Sequence, residues 1–177
     1  MRRLLPGVLA LCLALTACSG GEDEPAPTLE PLASSATPSP TGAAVPSEAA
    51  AATPDGAAEF ARFYYESIEA GFQSRDASTV AELSAEGCEI CQRYVDSIAR
   101  LSERDERLEG NEITIREAVA PGDAGPTAVV TVVYDNTASR RFDAQGNVIL
   151  EEPARENVVV ELVLARVADS WQVEEVR

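Results

Sequence analysis

Cys88 and Cys91 are the residues whose type and spacing most clearly permit chemistry. They form a Cys-x-x-Cys motif, which can close a short disulfide, exchange disulfides with other proteins or supply half of a zinc site. Disulfide exchange needs an electropositive setting that lowers the pKa of a thiol, whereas Glu86 and Glu89 flank this pair. Zinc would need two further ligands, and the chain contains no histidine.

The N-terminus indicates on which side of a membrane these thiols lie. Residues 1–17 combine Arg2 and Arg3 with an apolar run shorter than the roughly 20 residues that span a bilayer, which is typical of a secretory signal peptide. Residues 15–18, Leu-Thr-Ala-Cys, resemble the lipobox of bacterial lipoproteins. The resemblance implies cleavage before Cys18 and a diacylglycerol on its thiol. We therefore expect a protein anchored by lipid to the outer face of the cytoplasmic membrane.

An oxidising location favours a structural disulfide between Cys88 and Cys91. Closing so short a loop contributes at most about 2 kcal/mol, so the bond would mainly hold the turn between two helices. Thiol-disulfide exchange through Cys88 and Cys91 remains the alternative.

Charge and composition exclude several classes of function. Without residues 1–17 the chain keeps 12 arginines and 30 acidic residues, a side-chain charge of −18. Such a chain lacks the clustered basic surface of nucleic-acid-binding proteins. The absence of histidine removes imidazole from any catalytic or metal-binding proposal. We expect no nucleic-acid partner, no metal and no cofactor.

Residues 18–54 are predicted to be a disordered tether. They are rich in Pro, Ala, Ser and Thr, and such a composition buries too little apolar surface to offset the entropy of ordering the chain. Residues 55–177 are enough for one core and too few for two ordinary domains. The expected organisation is thus a signal peptide, an acylated cysteine with its tether, and one domain.

The first part of the domain is predicted to be helical. Thr53 and Pro54 are typical of a helix start, and apolar residues at three- and four-residue spacing continue the helix to Phe72. A short helix is predicted at 77–86. A third helix is predicted from Glu89 to Gly110, with Leu108 on its apolar face.

Beyond Gly110 the apolar period changes from 3.6 to 2. Strands are predicted at 113–116, 127–135, 148–150, 157–167 and 171–176. Helices followed by a run of strands predict an α+β fold, with the helices packed on one face of a mostly antiparallel sheet.

This order of elements resembles the nuclear transport factor 2-like superfamily. The residues that carry the resemblance are the opening helix at 57–72, the short helix at 80–83 and the closing Asp-Ser-Trp-Gln-Val at 169–173. The resemblance implies a curved sheet that wraps the helices into a cystatin-like cone. More narrowly, the chain resembles a group of actinobacterial lipoproteins that combine a lipobox, a Pro-rich tether, a Cys-x-x-Cys and an Asp-x-x-Gly-x-Val stretch, here at 143–148.

The resemblance also implies a pocket inside the cone. The candidates for its lining are Phe60, Tyr64, Tyr94, Tyr134 and Trp171. The favoured function is binding without chemistry, either of a small apolar ligand in the cone or of a protein on the sheet. The alternative is a ketosteroid-isomerase-like enzyme. In that case one of the tyrosines above, or Tyr65, would supply a hydrogen-bond donor and a carboxylate would supply the base.

Overall fold

The computed structural model describes residues 44–123 and 125–177. Within these ranges the helices are α1 (Pro54–Ser74), α2 (Ser78–Glu82) and α3 (Glu89–Glu103). The strands are β1 (Arg107–Gly110), β2 (Ile113–Val119), β3 (Thr127–Asn136), β4 (Ser139–Phe142), β5 (Val148–Glu152), β6 (Arg155–Val167) and β7 (Ser170–Val176). The predicted signal peptide, Cys18 and most of the predicted tether lie outside the described residues.

α1 begins as its sequence predicts. The Thr53 hydroxyl accepts a hydrogen bond from the Gly56 amide at 3.0 Å, and Pro54 takes the first helical position, where a missing N–H costs nothing. Arg75 is the C-cap residue that follows the helix. It has a left-handed φ of 61° and donates its backbone N–H to the Gly71 carbonyl. Its buried side chains include Ala57, Phe60, Ala61, Tyr64, Tyr65 and Ile68.

α3 is shorter than predicted. It ends at Glu103, and the chain then turns through Asp105, whose φ is 52°, while the Glu106 amide donates to the Leu101 carbonyl at 2.8 Å. Leu108, predicted on the apolar face of this helix, lies instead in β1. The helix was predicted too long because the spacing of Leu101 and Leu108 fits an apolar helix face. Leu108 is instead extended, because β1 pairs with β4.

The strands form two antiparallel sheets rather than one. The larger sheet has the order β2-β3-β6-β7 and the smaller has the order β1-β4-β5. The smaller sheet consists of β1, β4 and β5. Neither β1 nor β4 was predicted from the sequence. The helices pack on the larger sheet, so the architecture is a cone-like α+β fold, as predicted.

One bent two-stranded ribbon connects the sheets. β1 continues into β2 and β3 continues into β4. Between the two strand pairs, the Thr137 amide donates to the Glu112 carbonyl and the Glu112 amide donates to the Thr137 hydroxyl, each at 3.0 Å. The bend occurs at Gly110, which has a φ of 78°, and a Cβ there would overlap the Ala138 carbonyl oxygen. Only glycine therefore suits this position, because its lack of a Cβ permits both the left-handed backbone and the close approach.

The core lies between α1 and the larger sheet. The sheet contributes alternate residues of β3, β6 and β7, since successive side chains of a strand point to opposite faces. These inward residues are Val130, Val132, Leu162, Leu164, Trp171 and Val173, all 2% exposed or less.

The folded domain extends further toward the N-terminus than residue 55, where the sequence placed its boundary. Ala49 is 2% exposed and belongs to the core. The Trp171 indole N–H donates to the Ala51 carbonyl at 2.9 Å, and the Arg166 guanidinium donates to the Ala50 carbonyl at 2.6 Å. Residues 44–53 thus pack on the domain. Side chains distant in sequence donate hydrogen bonds to backbone carbonyls of this segment, and the composition of the segment does not reveal these partners.

Candidate functional site

Three tyrosines from different elements enclose a cavity of about 190 Å³. Tyr65 comes from α1, Tyr94 from α3 and Tyr134 from β3. The rings of Tyr65 and Tyr134 lie 5.1 Å apart at an angle of 39°. Apolar side chains of Ile68, Phe72 and Ile113 complete the walls. We call this space the tyrosine cavity.

Tyr65 is the most constrained group of the cavity. It is 1% exposed, and its hydroxyl has no hydrogen-bond partner in the part of the chain that the structure describes. A buried polar group without a partner costs about 1–3 kcal/mol, so such groups are rare and call for an explanation. The neighbouring Tyr64, in contrast, shares a hydrogen bond of 3.2 Å with the Ser84 hydroxyl.

All three cavity hydroxyls stay protonated over the physiological range. Burial raises the pKa of Tyr65, and the nearby hydroxyls of Tyr94 and Tyr134 raise it further. Burial also raises the pKa of Tyr94 and that of Tyr134, whereas the positive charge of Arg155 partly opposes both shifts. The cavity therefore presents neutral O–H donors rather than phenolate bases.

The polar rim of the cavity consists of Asn111, Asn136, Glu152 and Arg155. Each of these residues lies where the chain passes from one sheet to the other: between β1 and β2, at the end of β3, at the end of β5 and at the start of β6. Asn136 pairs with Arg155 on one side and with Ile113 on the other. Its amide also donates to the Asn111 side-chain oxygen at 3.3 Å. The rim is thus a consequence of the division into two sheets.

Asp135 holds the backbone at this rim. Its carboxylate accepts from the Asn157 amide at 2.8 Å and from the Arg116 guanidinium at 2.7 Å. These bonds, the Asn157 amide first, lower the pKa of Asp135. Asn157 has a left-handed φ of 53°, next to an irregularity in the β3–β6 pairing between Tyr134 and Asn136. The arrangement fixes the start of β6, where Arg155 projects from the rim.

The predicted pocket residues divide into two groups. Tyr94 and Tyr134 do line the tyrosine cavity. Phe60, Tyr64 and Trp171 do not: they are 0–2% exposed and are packed in the core. A helical apolar face and an inward strand face identify buried residues, but they do not separate a core position from a cavity wall.

The sequence predicts Tyr65 only as a possible hydrogen-bond donor and does not predict Asn111, Asn136 or Arg155 at the site. The adjacent aromatic residues Tyr64 and Tyr65 were a signal that α1 buries a wide face. No local pattern marks the three rim residues, because their shared location depends on strand pairing across the two sheets.

Cys88 and Cys91 form a disulfide at the N-terminus of α3. Cys88 is the N-cap residue, and its sulfur accepts a hydrogen bond from the Cys91 amide at 3.3 Å. The two residues are 2% and 0% exposed. Because exchange requires a partner thiolate to reach a sulfur, this burial favours a structural role.

The Asp-x-x-Gly-x-Val stretch forms the turn between β4 and β5. The Asp143 carboxylate accepts from the backbone amides of Gln145 and Asn147 at 3.0 and 2.8 Å. Bonds from Asn147, its side chain first, lower the pKa of Asp143. The motif therefore has a turn-forming role in this structure.

The outer face of the larger sheet carries exposed valines. Val129 and Val159 point away from the helices and are 37% and 62% exposed, and Val119 and Val167 are also exposed.

Among the described residues, no cluster of acidic or cysteine side chains has the spacing of a metal site. No helix in 44–123 or 125–177 is long and apolar enough to cross a membrane.

Two solved structures are similar to this chain at low identity. The intermembrane space region of the chloroplast protein ARC6 is similar over 64% of this chain and 92% of its own, with 12% identity and a TM-score of 0.42. Aln2 from a Streptomyces species is similar over 70% of this chain and 89% of its own, with 19% identity and a TM-score of 0.37. No curated protein matches the chain. A family of unknown function, DUF6318, matches residues 28–177, and the chain belongs to this family.

Proposed function

We propose that this protein is a lipid-anchored extracytoplasmic binding domain that holds a small, largely apolar ligand in the tyrosine cavity without transforming it. The proposal includes the nuclear transport factor 2-like relationship, which is supported by helices packed on two antiparallel sheets. It also includes acylation at Cys18, which is supported by the Leu-Thr-Ala-Cys sequence at 15–18.

The buried hydroxyl of Tyr65 is the observation that carries the proposal. A core that needed only packing at this position would favour phenylalanine, which avoids the cost of an unpartnered hydroxyl. The hydroxyl has less than 1 Å² of exposed surface in this structure, so a ligand with a hydrogen-bond acceptor would supply the missing partner once the neighbouring rings shift to expose it. Aromatic and aliphatic walls with a few polar groups at one end are the usual composition of small-molecule sites.

Binding is favoured over catalysis by the place of the carboxylate. A ketosteroid-isomerase-like reaction needs a base near the tyrosine donors within an enclosed site. Among the described residues that line the cavity, Glu152 is the one with a carboxylate. Its side chain lies at the rim and is 50% exposed, so it is not in an enclosed site. The tyrosines, with raised pKa values, are poor bases at neutral pH. Hydrogen bonding to a bound molecule is what this arrangement does best.

Extraction of the native protein tests the proposal. The full chain and its Tyr65→Phe variant would be purified from the same cells, and the small molecules released on denaturation identified by mass spectrometry. We expect a small molecule that accompanies the wild-type chain and Tyr64→Phe, whose hydroxyl bonds Ser84 instead, but is depleted from Tyr65→Phe.

A second measurement covers loss of the ligand during purification. One-ring aromatic fragments would be added to the full chain, and the tyrosine ring resonances followed by NMR. Shifts confined to Tyr65, Tyr94 and Tyr134 would support binding in the cavity. If neither a retained molecule nor any such shift is found, the proposed function is wrong.

A further inference from the structure

Arg155 gives the tyrosine cavity a charge preference. We infer that the ligand is a small organic acid, with its carboxylate against Arg155 and the tyrosine hydroxyls and its apolar body between the rings. This inference rests on the proposed function, and it specifies the chemical class of the ligand.

The position of Arg155 is set by the fold. It is the first residue of β6, directly across from Asn136 in the β3–β6 pairing, so it lies on the rim of the cavity. Among the described residues that line this space, Arg155 is the one with a positive charge. Arg155 lines the same space as Tyr94 and Tyr134, and its positive charge partly opposes the rise in the pKa of both tyrosines.

The guanidinium of Arg155 remains available to a ligand. Its ion pair with Glu152 has an N–O distance of 3.9 Å, and the two side chains are 63% and 50% exposed. Exposed pairs at such distances contribute little to stability, so a ligand carboxylate can compete with Glu152. By comparison, Arg116 is held by Asp135 through a bond of 2.7 Å.

The other groups of the cavity suit the same ligand. A carboxylate only accepts hydrogen bonds, whereas protonated tyrosine hydroxyls and a guanidinium donate them. The Tyr65 hydroxyl, which has no partner among the described residues and less than 1 Å² of exposed surface, would gain a partner only where the rings shift to expose it. A cationic ligand could pair with Glu152 but would offer no acceptor to Arg155 and the hydroxyls, and a neutral one would leave the charge of Arg155 unused. Bonds to ionised acceptors are roughly twice as strong as neutral ones, so the acid would bind more tightly.

The volume limits the body of the ligand. A dry, apolar cavity of about 150 Å³ accepts benzene. At about 190 Å³ the tyrosine cavity is of similar size but opens to solvent through its polar rim, so it has room for a one-ring body whose acid group would lie at that rim. Benzoate therefore matches the site in size, charge and shape, and benzamide is its neutral counterpart of equal size.

The test compares benzoate with benzamide on the purified full chain at neutral pH by isothermal titration calorimetry and NMR. We expect benzoate to bind about tenfold more tightly, the lower end of what a hydrogen bond to a charged group supplies. Arg155→Gln should abolish this preference by weakening benzoate binding about tenfold. Glu152→Gln should tighten benzoate binding about two- to threefold, because it removes the competing carboxylate.

Arg93→Gln is the matched control, since Arg93 also faces a glutamate, Glu89, at 3.9 Å and is exposed, but on α3 away from the cavity. It should leave both affinities unchanged. Equal binding of benzoate and benzamide, or a preference that survives Arg155→Gln, would overturn the acid inference and leave the proposed binding function intact. Absence of binding by either probe, together with no retained molecule, would reject both.

Discussion

The rings of Tyr65 and Tyr134 lie 5.1 Å apart at 39°, and this contact joins the middle of α1 to the end of β3. It buries the Tyr65 hydroxyl where no described group can accept or donate a hydrogen bond. Tyr64, one residue earlier, faces away toward Ser84 and is satisfied. Two adjacent residues of the same type thus have different roles, and this difference can be measured.

Tyr64→Phe should destabilise the domain, whereas Tyr65→Phe should not. Loss of the Tyr64–Ser84 bond should lower the free energy of unfolding by about 1 kcal/mol. Removal of the unpartnered Tyr65 hydroxyl should leave it unchanged or raise it by up to about 1 kcal/mol in the ligand-free protein. Urea unfolding of both variants measures the difference. Equal destabilisation by the two changes would mean that the Tyr65 hydroxyl already has a partner.

Gly56→Ala should release residues 44–53 from the domain. A Cβ at this position would overlap the Ala51 carbonyl oxygen, the acceptor for the Trp171 indole. Limited proteolysis with a nonspecific protease should then cleave within 44–53, whereas the wild-type domain should be cut before Val45. Gly87→Ala is the control, because a Cβ at Gly87 meets no atom within 4 Å. An identical cleavage pattern for Gly56→Ala and the wild type would contradict the packing of this segment.

Replacing both Cys88 and Cys91 by serine should lower stability by no more than about 2 kcal/mol and preserve the fold. The pair closes a short loop and is buried, so it should be fully oxidised in exported protein and resist glutathione. Mass spectrometry of the exported chain checks the first point. A Cys91→Ser variant should trap no mixed disulfides through Cys88. Stoichiometric trapping in cells would instead support the redox alternative.

Alkaline pH should unfold the domain together with ionisation of its tyrosines. Burial raises the pKa of Tyr64 to about 12, and the pKa values of Tyr65, Tyr94 and Tyr134 are also raised. An unfolded tyrosine ionises near pH 10, so above this pH the unfolded state binds fewer protons than the folded state and stability falls as pH rises. Tyrosinate absorbance and circular dichroism should change in one transition above pH 10. Tyrosinate appearing at lower pH in folded protein would show that the rings are accessible.

Cys18→Ala should prevent lipid attachment and leave the precursor uncut. This expectation follows from the proposed lipobox at 15–18, Leu-Thr-Ala-Cys, in which the cysteine would be both the acylated residue and the new N-terminus. Mass spectrometry of the membrane fraction measures the N-terminal mass. Cys88→Ser in the same chain is the control and should be processed normally. A normally cut Cys18→Ala protein that remains in the membrane would contradict the lipoprotein assignment.

Local sequence was sufficient for much of the secondary structure. Thr53 and Pro54 predicted the start of α1 because a cap and a fixed φ act within one turn of helix. Alternating valines predicted β3 and β6, and the Cys-x-x-Cys spacing allowed the disulfide. Each of these features depends on residues a few positions apart.

The tertiary structure alone decided which residues form the cavity. Periodicity marks Tyr64 and Tyr65 as buried, but the position of β3 determines which of them lies against Tyr134. The rim joins Asn111, Asn136 and Arg155, which are distant in sequence and meet because the ribbon bends at Gly110 between two sheets. Long-range strand pairing sets such contacts, and a sequence pattern read over neighbouring residues contains no information on that pairing.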